Sequence, residues 1–205
     1  NYSHYYSGYS VRNIYLENGL RLVSTYSGIF LNDTIKISNP GYANGYFVKI
    51  RDQYYLSSDH LYVFKEPASF EQIGTGDNVF AGYSRKLVVY KNEVFSMNTK
   101  SVNRFDSSFE LQPIHQGNEY YDMEVVGDKL LFSTQTGEVF VYDGLNVREL
   151  LKLNTRIRDI YPFKNTLYLS SEEGVYTIQD LNPGTLTLIA KTPFTVMVLV
   201  DAMRN

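Results

Sequence analysis

The chain has 205 residues, 43% hydrophobic and 20% charged, with a net charge of −3 and no cysteine. That is enough chain to bury a substantial core, and the balance argues against disorder. It offers no basic face for nucleic acid and excludes a disulfide scaffold, thiol catalysis and Cys-ligated zinc, without choosing between cytoplasm and periplasm.

Nineteen Tyr and twelve Phe, together with many Val, Ile and Leu, favour strands. In chain order, Val11-Arg12-Asn13-Ile14-Tyr15 reads as a first strand, Leu20-Arg21-Leu22-Val23-Ser24 as a second, Ile29-Phe30 as the opening of a third and Thr34–Ile37 as a fourth. The pattern returns as Tyr46–Ile50, Tyr54-Tyr55-Leu56-Ser57, Leu61-Tyr62 and Phe70–Ile73. A third copy is read as Val79–Tyr83, Leu87-Val88-Val89-Tyr90, Val94-Phe95 and Phe109–Leu111, with an insertion somewhere in Asn98–Asn118. A fourth is Tyr121–Val126, Leu130-Leu131-Phe132-Ser133, Val139-Phe140 and Val147–Leu151. The fifth is Ile157-Arg158-Asp159-Ile160-Tyr161, Leu167-Tyr168-Leu169-Ser170, Val175-Tyr176 and Leu186–Ala190, and Phe194–Val200 then reads as the first strand of a sixth.

On this alignment Phe30, Tyr62, Phe95, Phe140 and Tyr176 are equivalent, at spacings of 32, 33, 45 and 36 residues. Gly, Asn and Asp turns join the strands, and no segment keeps a helical apolar period. Four short antiparallel strands per repeat of about 35 to 45 residues predict an all-β chain, a β-propeller. The expected blades are 10–38, 45–74, 78–112, 119–152 and 156–191, with a partial one at 194–200, all in one domain. A β-helix would need a shorter and more uniform repeat, and a β-sandwich would not explain the recurrence. A lone four-stranded meander cannot bury both faces, so each blade needs neighbours. The chain is therefore expected to be part of a larger propeller, and pairing with a second copy as a homodimer is one way to cover open blade faces.

Few residues offer chemistry. His4, His60 and His115 fall in different copies without a metal-ligand spacing, so neither a metal nor any cofactor is expected. Gly74-Thr75-Gly76-Asp77 lacks the Lys and Ser/Thr of a phosphate loop, and Glu172-Glu173 reads as a solvated turn rather than a catalytic pair. No catalytic residue is expected. The longest apolar run, Val196–Val200, falls far short of the roughly 20 residues a membrane helix needs. Arg12 with Tyr15 and Arg158 with Tyr161 hold equivalent places on the innermost strands of two copies, where propellers bind ligands. Arg suits carboxylate or sulfate, and Tyr stacks on sugar rings; the competing reading pairs both arginines with nearby carboxylates.

The first copy, through Val11–Tyr15, Leu20-Arg21-Leu22-Val23-Ser24-Thr25 and Gly28-Ile29-Phe30, resembles the regulator-propeller repeat, and Leu169-Ser170-Ser171 with Gly174-Val175-Tyr176 is similar. Leu130–Asp143 also resembles blades of quinoprotein-like propellers. The regulator resemblance implies the periplasmic sensor domain of a bacterial hybrid two-component or one-component regulator anchored in the inner membrane. It further implies a small-molecule or oligosaccharide ligand, no enzymatic activity in the domain, and kinase or DNA-binding output outside this chain. A protein-interaction scaffold is the alternative expectation, and a propeller lyase or glycosidase a third.

Overall fold

The computed structural model describes residues 11–25, 28–33, 35–37, 45–57, 60–65, 69–73, 86–117 and 119–191. The expected strands Val79–Tyr83 and Phe194–Val200, the Gly74–Asp77 turn and His4 lie outside these residues. The described strands form five antiparallel sheets of four strands each, with every strand hydrogen-bonded to its neighbours in sequence. This is the expected all-β meander.

The first sheet comprises β1 (Val11–Glu17), β2 (Leu20–Thr25), β3 (Gly28–Leu31) and β4 (Ile35–Ile37). The second comprises β5 (Tyr46–Ile50), β6 (Gln53–Ser57), β7 (Leu61–Lys65) and β8 (Ser69–Ile73). The third runs through β9 (Lys86–Tyr90), β10 (Glu93–Met97), β11 (Ser101–Phe105) and β12 (Leu111–Gln116). The fourth is β13 (Tyr120–Val126), β14 (Lys129–Thr134), β15 (Glu138–Tyr142) and β16 (Val147–Lys152). The fifth is β17 (Ile157–Phe163), β18 (Thr166–Ser171), β19 (Gly174–Gln179) and β20 (Thr187–Lys191). The chain divides into two compact units, residues 1–114 and 115–205.

Local chemistry explains the hairpins. Asn18-Gly19 and Lys91-Asn92 both have positive φ at the two turn positions, the geometry whose twist matches that of the flanking strands. Gly137 opens the β14–β15 hairpin at φ 92°, where an added Cβ would sit 2.2 Å from the Leu153 carbonyl oxygen. Only glycine fits there.

The third sheet departs from expectation. Leu87–Tyr90 reads in sequence as a second strand, yet β9 is the edge strand of its sheet, packed beside β5. β17 lies beside β13 in the same way in the other unit. The true second strand is β10, and the stretch read as an insertion holds all of β11 and β12. Once shifted, the repeat is regular. Ser24, Ser57, Ser96, Ser133 and Ser170 become equivalent, at spacings of 33, 39, 37 and 37 residues, and all five are fully buried.

Two of these serines join adjacent sheets. The Ser24 hydroxyl donates to the Gly45 carbonyl at 2.8 Å, just before β5, and the Ser133 hydroxyl reaches the Ile157 carbonyl at 3.5 Å, at the start of β17. Around them the first unit packs Leu22, Ile29, Phe47, Leu56, Tyr62 and Phe64 in one cluster and Val48, Leu61, Leu87, Val94 and Phe105 in another. In the second unit Leu131, Val139, Val141, Ile157, Ile160, Leu169 and Ile178 form the core. Each cluster draws on two consecutive sheets, so apolar burial holds neighbouring sheets together.

Candidate functional site

The first strands of three sheets carry a β-bulge near their start: between Val11 and Asn13 in β1, Tyr120 and Met123 in β13, and Ile157 and Asp159 in β17. A bulge leaves a residue out of the ladder and re-aims its side chain, and bulges are over-represented beside functional sites. Aligning the three strands on their pairing puts Arg12, Tyr121 and Arg158 at the same bulged position. Two of the arginines singled out in sequence thus occupy positions that the backbone itself marks.

In the second unit the neighbouring bulges are locked together. The Asp122 carboxylate accepts the Ile160 backbone N–H at 2.8 Å. This bond fixes β13 against β17. It brings the Arg158 guanidinium to 4.8 Å from the centre of the Tyr121 ring, with that of Arg156 at 5.4 Å. Both are within the range of cation–π attraction. Glu172, in the β18–β19 turn, accepts from Arg158 at 2.8 Å and lies 3.3 Å from Arg156.

The electrostatics leave a surplus. Among the described residues Glu172 is the only carboxylate in ion-pair contact with either guanidinium, so two positive charges share one negative charge. The Nε atoms of both arginines are buried without a hydrogen-bond partner. Glu173 takes no part, since it accepts the Tyr176 hydroxyl at 2.9 Å. Burial, and then this bond, pushes the Tyr176 phenol above its ordinary pKa. A partly desolvated guanidinium pair on an aromatic face suits a carboxylate or sulfate whose ring lies against the tyrosine.

The other expected residues fare differently. Arg12 lies in the β1 bulge, but its side chain is outside the described set. Tyr15 donates to Glu17 at 2.7 Å, Glu17 is held by Lys49 at 3.3 Å, and the Tyr15 ring meets Tyr54 edge-on at 5.8 Å. Burial and then the Glu17 contacts push the Tyr15 phenol up. Tyr15 is spent inside its own unit. Tyr161 is half-buried opposite Tyr168, three residues along the strand from Arg158. Arg12 and Tyr15 belong to the first unit, Arg158 and Tyr161 to the second.

Sequence reading missed Tyr121 and Arg156. The signal for Tyr121 lay in aligning Tyr121-Asp122-Met123 with Arg158-Asp159-Ile160. Arg156 precedes its strand and matches nothing in the repeat. His115 packs among aromatic rings: its Nδ1 meets the Tyr120 hydroxyl and its ring lies against Phe132 and Phe140, where burial pushes its pKa down. Among the described residues no three His, Asp or Glu side chains converge as a metal site would require, and no helix is long and apolar enough to cross a membrane.

No protein-family model matches the chain, and no curated protein matches it in sequence. Solved structures do match in fold. The extracellular domain of BT4673 from B. thetaiotaomicron, described as a hybrid two component system, superposes with a TM-score of 0.72 at 12% identity, over 90% of this chain and 28% of that one. The computationally designed Ika8 protein gives 0.66 at 13% identity, over 90% of this chain and 62% of its own. BamB from Moraxella catarrhalis gives 0.60 at 11% identity, over 86% and 60%. The chain thus spans under two thirds of each of these structures. At such identities the likeness establishes the fold, and that fold is the β-propeller.

Proposed function

We propose that this chain is the ligand-sensing part of a bacterial signal-transduction receptor, lying outside the cytoplasm and without enzymatic activity of its own. The ligand is a sugar chain bearing a carboxylate or sulfate. It binds through the Arg156 and Arg158 guanidiniums with a ring against Tyr121. The observation that carries this reading is the charge surplus: two arginines on one tyrosine face share a single carboxylate, with two buried Nε donors unspent. The likeness to the BT4673 extracellular domain and the resemblance of the first and fifth repeats to regulator-propeller repeats support the sensor context.

A thermal-shift screen tests it, because a ligand that binds only the folded chain raises apparent stability. Acidic oligosaccharides are expected to raise Tm and their neutral counterparts to raise it less. Arg158→Gln is expected to abolish the difference while the far-UV spectrum stays unchanged. No shift with any glycan, together with recovery of a specific protein partner, would replace this reading with an interaction scaffold. Turnover of a glycan, lost on changing one carboxylate, would make the chain an enzyme.

A further inference from the structure

A second concavity lies in the first unit, between the second and third sheets. It encloses about 610 Å³ and is lined by Tyr55, Phe109, Arg51, Asn92, Ser107 and Asp106, among others. That volume falls in the range of small-molecule sites. One wall is aromatic: Tyr55 and Phe109 pack with ring centres 5.6 Å apart and planes tilted by 34°. Phe109 is held there by a built loop. Asp106 accepts the backbone N–H groups of Ser108 at 2.8 Å and Glu110 at 3.0 Å, and Phe109 sits between them at φ 61°. A bulky residue in that conformation is costly and persists only where its surroundings require it.

Several polar groups of the cleft already have partners. Asp106 is engaged by its own loop, and that engagement holds its carboxyl below the usual range. Glu93 faces Arg104 at 3.8 Å, and Gln53 donates to the Phe64 carbonyl at 2.7 Å. Among the described residues the Arg51 guanidinium makes no ion pair, and the Tyr55 hydroxyl, the Asn92 amide and the Ser107 hydroxyl make no hydrogen bond. The remaining chemistry is one cation, three neutral hydrogen-bonding groups and an aromatic face.

We infer that this cleft is a binding site for a small cyclic monoanion, whose ring lies on the Tyr55–Phe109 wall and whose carboxylate meets Arg51. Such a ring comes from a uronic acid or from an aromatic acid, and the chemistry is shared between them. The site is independent of the arginine pair in the other unit.

Ligand-observed NMR on the 205-residue chain tests it, with glucuronate and benzoate as probes and glucose and benzamide as their neutral counterparts. Saturable binding of at least one anion is expected, with its neutral counterpart at least tenfold weaker. Arg51→Gln, at an exposed turn position, is expected to weaken the anion at least tenfold and leave the neutral compound unchanged. Asn92→Gly, which suits the positive φ there, is expected to weaken both members of the pair. Binding that is lost on Arg158→Gln and unmoved by Arg51→Gln would place the anion in the other unit and overturn the inference, which separates failure here from failure there. Saturable binding of glucuronate alone assigns a sugar acid, and of benzoate alone an aromatic acid. Absence of saturable binding for both anions, or binding indifferent to Arg51→Gln, overturns the inference.

Discussion

The Asp122 carboxylate accepts the backbone N–H of Ile160 at 2.8 Å, tying the first strand of one sheet to the first strand of the next. Both partners are buried, so neither can turn to water if the other is removed. Asp122→Ala is expected to cost about 1–3 kcal/mol, the penalty for leaving a buried donor unsatisfied. Asp122→Asn, whose amide oxygen still accepts, is expected to cost less. Urea denaturation with an unchanged m-value checks the ranking; equal losses for Asn and Ala would show that charge, not acceptance, matters.

The recurring serines supply an internal control. Ser24→Ala removes a 2.8 Å bond to Gly45 and is expected to cost about 1 kcal/mol. Ser96 is equally buried, but its hydroxyl has no hydrogen-bond partner among the described residues. Ser96→Ala is therefore expected to be neutral or slightly stabilising. Chemical denaturation of the two variants side by side tests whether the bond or the small size is what counts.

Gly137 and Gly19 both adopt positive φ, yet only Gly137 is crowded. Gly137→Ala is expected to cost more than about 2 kcal/mol, combining backbone strain with a clash against the Leu153 carbonyl. Gly19→Ala meets nothing and carries the strain alone, about 1 kcal/mol. Tm measurements on both variants read the difference.

Glu138 predicts a pH dependence. Burial pushes its carboxyl up, but bonds from Lys152, Thr134 and Thr136 outweigh burial and bring its pKa down to about 2. A carboxyl depressed on folding contributes stability above its unfolded pKa of 4.5 and loses it as pH falls toward 2. Glu138→Gln is expected to flatten the stability profile in that window. His115 acts higher on the scale. Its depressed pKa makes stability fall as pH drops below 6.5, and His115→Phe is expected to remove that part of the slope. Denaturation midpoints across pH 2 to 7 separate the two windows.

Much of this fold was legible in the residues. Four of the outer strands, including Val147–Leu151 and Phe70–Ile73, fall within a residue or two of their expected places. The third repeat failed because Leu87–Tyr90 and Val94–Met97 are both short, apolar and β-prone. Propensity cannot say which is the edge and which the second strand. The mark that distinguishes them is the buried serine, present in Val94-Phe95-Ser96 and missing from Leu87–Tyr90. The same slip placed Phe109 in a strand, when it occupies a positive-φ loop position and walls a cleft. The arginine pair was half visible: the repeat pointed to Arg158, but its partner Tyr121 was hidden because a bulge shifts side chains without changing composition.

Those bulges bear on how such a chain changes over time. A residue outside the ladder has no register partner to satisfy, so positions 12, 121 and 158 are free of the pairing rules that govern their neighbours. On the proposed reading, substitution at such a position alters what the chain binds and leaves the strand hydrogen bonds as they were. On that reading recognition and folding fall to different residues of the same strand. Ligand preference in a repeat of this kind is thereby open to selection at little loss of stability.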